Sequence, residues 1–165
     1  MTQEGFDNQG PFLQAAFLCE QILDEKDGVK SAIRIIDRIT RQAVGPNPPE
    51  EMEPFDYETK MLIKFKSGRA RGPMRLQLRL QRPSGDSPPP TIQTVYFEGE
   101  DDRGVDIVGT MKFRFEVPGL YWLNVELDGV QITRMPLRVI YLPQVTQIPP
   151  GAEGPPPQAQ PPDAS

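Results

Sequence analysis

Over much of the chain, apolar and polar side chains alternate with a period of two. "MRLQLRLQR" puts Met74, Leu76, Leu78 and Leu80 on one side and Arg75, Gln77, Arg79 and Gln81 on the other. That is the pattern of a strand with one face buried. "ETKMLIKFK" sets Thr59, Met61, Ile63 and Phe65 against Lys60, Leu62, Lys64 and Lys66. "GTMKFRFEV" sets Met111, Phe113, Phe115 and Val117 against Lys112, Arg114 and Glu116. "TIQTVYFE" is rich in β-formers but less regular. Proline-rich stretches, "GPNPPEEMEPFD" and "RPSGDSPPPT", bound these runs, because proline removes a ladder donor and is confined to edges and loops.

The N-terminal part is less clear. In "FLQAAFLCEQIL", Phe12, Ala16, Cys19 and Leu23 fall at helical spacing, so residues 12–23 read as helix or as strand. Asp27-Gly28 then gives a turn signal, and the β-branched "KSAIRIIDRIT" follows. A strand–turn–strand hairpin over about 13–39 accounts for both halves together and is the reading adopted.

The last ordered stretch, "GLYWLNVELDGVQITRMPLRVIY", predicts a second hairpin. Tyr121, Leu123, Val125 and Leu127 alternate inward, and Asp128-Gly129 suits a type I′ turn. Leu127 then faces Val130, and Val125 faces Ile132. Regular pairing would continue with Leu123 against Arg134, yet the return strand resumes with Leu137, Val139 and Tyr141 inward. The phase has flipped, and a one-residue bulge between Thr133 and Pro136 would repair it. The lead-in "PGLYWL" resembles the tyrosine corner of immunoglobulin-like sandwiches. Where antibody domains carry a cysteine two residues later, this chain has Leu123, which fits a core without a disulfide.

The expected fold is all-β: an antiparallel β-sandwich of about eight strands, immunoglobulin-like or C2-like. The segments "FLCEQILDEKDGVKSAIRIIDRIT" and "GLYWLNVELDGVQITRMPLRVIYLP" also resemble a family of small bacterial proteins catalogued only as a domain of unknown function. The resemblance implies a β-sandwich over most of residues 12–143 and carries no activity with it.

Composition narrows the chemistry. The chain has no histidine, which removes a serine–histidine–acid triad, a cysteine–histidine dyad and histidine ligation of a metal. Its one cysteine, Cys19, permits neither an internal disulfide nor a multi-cysteine metal site. A lone thiol of this kind ordinarily serves as a small buried hydrophobe. Net charge is −5, which argues against bulk affinity for nucleic acid or anionic membrane. The polar start "MTQEGFDNQG" lacks the features of a secretion signal, and no run approaches the roughly 18 apolar residues of a membrane span. A cytoplasmic location is expected. Residues 1–11 read as a flexible start, 12–143 as the sandwich, and the proline-rich 144–165 as a disordered tail.

Three constellations remain. Glu98, Glu100, Asp101, Asp102 and Asp106 cluster in "FEGEDDRGVD", and Asp24, Glu25 and Asp27 in "DEKDG". Loop carboxylates can hold calcium, but the spacing matches no EF-hand, and acidic turns are ordinarily just solvated. The bases Arg75, Arg79, Lys64, Lys112 and Arg114 lie on the outward phase of their strands. If those strands are neighbours, one sheet face is basic and suits an anionic partner; the alternative is a solvated face balanced by nearby acids. Trp122 lies on the phase opposite Tyr121, either as an interface anchor or covered by the 45–56 loop. No aromatic interleaves the bases, so nucleic acid is not the expected partner. There is no phosphate loop or nucleophile elbow, and no cofactor is expected. The leading expectation is a non-catalytic binding or scaffolding module working through protein contacts. The alternatives are a calcium- or anion-binding sandwich and an enzyme using carboxylates or Cys19.

Overall fold

The strands predicted from alternation form with the predicted side inward, except that the third of these runs ends at Phe115 and Val117, expected inward, is exposed in the turn before Gly119. In the computed structural model, which describes residues 9–146, the chain folds into nine strands: β1 (Phe12–Asp24), β2 (Lys30–Ile36), β3 (Arg38–Gly45), β4 (Phe55–Lys66), β5 (Arg71–Gln81), β6 (Thr91–Glu98), β7 (Gly104–Phe115), β8 (Gly119–Leu127) and β9 (Val130–Val145). They make a four-stranded sheet in the order β2-β1-β4-β7 and a five-stranded sheet in the order β3-β9-β8-β5-β6. Ile63, Phe65, Leu76, Phe115, Val125 and Leu127, all fully buried, fill the space between the sheets. A sheet with one apolar face must bury it against another layer, and each sheet here does so against the other.

The five-stranded sheet is immunoglobulin-like in its order. β5, β8 and β9 stand where strands C, F and G stand in that sandwich, and β6 extends the sheet at its edge as in the variable type. The tyrosine corner is present: the Tyr121 hydroxyl donates to the Val117 carbonyl at 2.8 Å. The glycine before it has a reason too. Gly119 takes φ 147°, and a Cβ there would lie 2.7 Å from the Pro83 ring. Tyr121→Phe should lower stability by about 0.5–1.5 kcal/mol, the net contribution of one intramolecular hydrogen bond, read from chemical denaturation.

The N-terminal hairpin forms, and residues 12–24 are strand rather than helix. The reason lies in burial on both faces. Leu18 packs inward at 2% exposure, while the adjacent Cys19, pointing outward, is also fully covered. Strands buried on both sides lose their alternation. The loop spans Glu25–Val29, with Gly28 at φ 83° and the Asp27 carboxylate accepting the Val29 N–H at 3.1 Å. The second half of this region holds one more strand than expected, because the run 30–45 divides at Asp37. β2 pairs with β1 in one sheet and β3 pairs parallel with β9 in the other. The Asp37 carbonyl accepts the Arg138 N–H at 2.8 Å, which anchors the crossover.

The last hairpin corrects the expected bulge. Asp128 and Gly129 both take positive φ, as a type I′ turn requires, and Leu127 pairs with Val130. Val125 faces Thr133 rather than Ile132, so the extra residue is Ile132, ahead of the predicted Thr133–Pro136 interval. Thereafter Leu123 faces Met135 and Tyr121 faces Leu137, so the inferred phase flip is real. Pro136 needs no bulge. Its nitrogen points to the same side as that of Arg138, toward β3, and β3 has not yet joined the sheet at that level. The sheet also runs further than the expected boundary at 143. Val44 and Gly45 pair with Gln144 and Val145. Gln9 is held as well, its carbonyl accepting the Arg69 N–H at 2.6 Å. Residues 1–8 of the flexible start and 147–165 of the proline-rich tail, as read from sequence, lie outside the described residues.

Candidate functional site

The five candidate bases do not share a face. Lys64, Lys112 and Arg114 project from β4 and β7 on the outside of the four-stranded sheet, whereas Arg75 and Arg79 project from β5 on the outside of the five-stranded sheet. On the first face each base has an acid on the neighbouring strand. Lys64 reaches Asp106 at 2.9 Å, Arg114 reaches Asp56 at 3.0 Å, and Lys112 approaches Glu58 at 3.6 Å. Opposite charges across a strand pair are the ordinary solvated arrangement. The last two pairs line an open cleft of about 460 Å³ with Tyr57, whose phenol burial pushes above its usual range.

The second face is different. Arg79 is 3.8 Å from Glu126, and the Arg75 backbone N–H is taken by the Asp128 carboxylate at 2.7 Å. The next strands add Arg134 and Arg138 from β9 and Arg38 from β3, all exposed. The parallel pairing sets Arg38 directly beside Arg138. Among the described residues, none of Arg38, Arg134 and Arg138 has a carboxylate within salt-bridge distance. Like charges side by side on a pleat are unfavourable in isolation.

Trp122 sits among these arginines. It is half-buried, between Gln81 and Pro136 in register, and the Arg134 guanidinium lies 3.7 Å from its ring centroid. The cover is therefore this arginine, where the sequence suggested the 45–56 loop. That loop instead meets Tyr141, whose hydroxyl donates to the Pro49 carbonyl at 2.6 Å. A guanidinium over tryptophan contributes about 0.5–1 kcal/mol at an exposed site and holds the fork of Arg134 in a defined plane. In register, Arg134, Asn124 and Arg79 form one row across three strands. The site the sequence half-saw is this arginine–tryptophan face. Arg38, Arg134 and Arg138 were missed because they come together only through the long-range pairing of β3 with β9.

Four of the eight acidic candidates are engaged with bases. Arg103 binds Glu98 at 2.7 Å and Glu100 at 3.0 Å, Lys64 holds Asp106, and Lys30 bonds Asp24. Among the described residues no three acids converge as metal ligands would. Cys19 is fully covered, and burial pushes its thiol above the ordinary value of 9.0, with a weaker opposing effect from the Gln21 backbone. A thiol so placed stays protonated at neutral pH and is inert. An alkylating reagent at pH 7 should leave Cys19 unmodified in the native protein and react rapidly once denaturant unfolds it. The raised value also predicts a pH effect. The contribution of the neutral thiol is complete below about 9, and it is lost as pH rises through the higher folded value, so the melting temperature should fall on that alkaline side.

Among the described residues no helix is long and apolar enough to cross a membrane. Solved structures similar to the chain include a β-glucosidase from Listeria innocua in complex with isofagomine, at 14% identity over 78% of this chain and 16% of that chain, with a TM-score of 0.36. Another is the CARDB domain of the PF1109 protein from Pyrococcus furiosus in complex with di-metal ions, at 9% identity over 82% and 99% of the two chains, TM-score 0.35. A third is an immunoglobulin-like protein from Pseudomonas aeruginosa, at 13% identity over 74% and 90%, TM-score 0.30. The chain spans only 16% of the glucosidase, and at these scores none of the three says anything about its ligands or activity. No curated protein matches the chain. Residues 14–140 match the family of unknown function DUF6941, and the chain belongs to that family.

Proposed function

We propose that this protein is a non-catalytic binding module that holds an acidic protein partner on the outer face of its five-stranded sheet. One observation carries the reading: Arg38, Arg134 and Arg138 gather around Trp122 without acid partners among the described residues, in a chain of net charge −5. On the outside of the other sheet, Lys64, Lys112 and Arg114 each face an acid across the strands. An acidic partner would relieve the repulsion between Arg38 and Arg138 and be steered to the face as it approaches. The planar forks of arginine suit carboxylates, which they bind through paired hydrogen bonds. A nucleic acid is less well served, because Arg134 already occupies the Trp122 face on which a base would stack. Glu98, Glu100, Asp106 and Asp24 are tied to Arg103, Lys64 and Lys30, and among the described residues no three acids converge, which supports a role without catalysis. A single buried thiol suits a reducing compartment, and the cytoplasm is the proposed location.

The test is affinity capture from the native cell with quantitative mass spectrometry. Arg134→Glu combined with Arg138→Glu should remove a specific partner while leaving the melting temperature within a few degrees, because both side chains are exposed. Arg75→Glu with Arg79→Glu, at the margin of the patch and nearer to acids, should weaken the same partner less. A partner list unchanged by either pair would overturn the reading.

A further inference from the structure

The outer face of the four-stranded sheet carries an apolar seam that the arginine face does not need and the core does not use. Phe17, Leu62 and Val108 stand in register across β1, β4 and β7, and Ile35 of β2 stands beside Cys19, two residues along β1. Leu62 and Cys19 are covered by their neighbours, but Ile35 is 64% and Val108 45% exposed, with Ile33 next along β2 at 41%. Apolar side chains exposed on both edge strands of one sheet face, with half-buried Phe17 between them, are characteristic of an interaction site. The charges around the seam are of both signs: Lys64 pairs with Asp106, Lys112 with Glu58 and Arg114 with Asp56, while Lys60 and Lys66 bond the Thr110 hydroxyl and the Asp102 carbonyl.

We infer that this face is the contact between two copies of the chain, packed sheet on sheet about a two-fold axis. Such a contact lays a patch against itself, so the patch must be self-complementary. The arginine face fails that requirement, since it would set guanidinium against guanidinium. The acidic loop 98–102 fails it with the opposite sign. The face of β2-β1-β4-β7 meets it better: the seam buries against its twin, and Asp56, Glu58 and Asp106 let bases of one copy find acids on the other. Two copies of net charge −5 repel in general, and a face that holds both signs is where that repulsion is reduced. The size is adequate as well. Strands of 13, 7, 12 and 12 residues, about 3.3 Å per residue and about 4.8 Å apart, present roughly 700 Å² in projection, near the approximately 800 Å² per partner of a standard interface. Face-to-face packing about 10 Å apart would repeat outside the sandwich what its two sheets do inside.

Sedimentation velocity over a concentration series tests this with the whole chain. The wild type should sediment as a dimer at tens of micromolar, and Val108→Glu or Ile35→Glu should raise the dissociation constant by at least about tenfold. Both positions are exposed, so the variants should retain the wild-type melting curve. Arg134→Glu with Arg138→Glu, which tests the proposed acidic-partner site, should leave the dimer intact, so the two proposals fail separately. A wild type that remains monomeric throughout the series overturns the inference whatever the variants do. So does a dimer that both seam variants leave unchanged, or a monomer that uses this seam to hold a different protein.

Discussion

Phe115→Ala is expected to cost about 3–5 kcal/mol, the range for deleting a buried aromatic ring. The ring is fully buried and is the hub of an aromatic cluster. Its centroid lies 4.9 Å from Tyr121 in an edge-on arrangement, 5.5 Å from Phe55, 5.6 Å from Phe113 and 6.4 Å from Tyr57. Tyr121 comes from the five-stranded sheet and the other rings from the four-stranded one, so Phe115 joins the two layers close to the tyrosine corner. Stiff aromatic neighbours collapse poorly into a void, which places the loss in the upper part of the range. A domain of ordinary stability, about 5–15 kcal/mol, would keep little margin. Differential scanning calorimetry should show the melting temperature down by on the order of 10 °C or more. A fall of only a degree or two would mean the cluster is not a structural joint.

Leu123→Ala is the second large effect, about 2–5 kcal/mol, with the likelihood of partial relaxation setting it below Phe115→Ala. Leu123 is 2% exposed and lies in register between Leu80 of β5 and Met135 of β9. Methionine is flexible and can lean into a gap, so a value near the middle of the range, roughly 3 kcal/mol, is expected from urea denaturation. Combining it with Met135→Leu, a stiffer neighbour of similar volume, should increase the cost of the alanine, since the void can then no longer be filled in this way. If Leu123→Ala were neutral, the inward phase of β8 would be wrong.

Where one face of a strand is buried and the other wet, the sequence announces both the strand and its orientation. Met61, Ile63 and Phe65, Leu76 and Leu78, Phe113 and Phe115, and Tyr121 through Leu127 all turned out to point inward as their alternation implied. β1 was ambiguous for the opposite reason: Leu18 and Cys19 are neighbours in the chain, and both are covered. The bulge was legible as a change of parity and illegible as a position. Parity demands one extra residue between two runs, and only the β8–β9 register shows it to be Ile132. The division at Asp37 had no local sign at all, because "SAIRIIDRIT" has the same composition on either side of the crossover. That crossover created the functional candidate. It carries Arg38 to Arg138 across about 100 residues of intervening chain, a contact set by topology rather than by any nearby motif. It also explains why the basic face was drawn wrongly from sequence: outward phase says which side of its own sheet a base occupies, and nothing about which sheet.

The most direct test of the arginine–tryptophan face uses its own reporter. Trp122 is the only tryptophan in the chain, and it lies beneath Arg134 at the centre of the proposed contact. Its fluorescence can be followed while a short oligoglutamate peptide is titrated in at low salt and again at high salt. The account predicts a saturable change at low salt that weakens as salt rises and is absent from Arg134→Glu combined with Arg138→Glu. A spectrum that does not respond to the peptide, or one that responds equally in the charge-reversed protein, would contradict it.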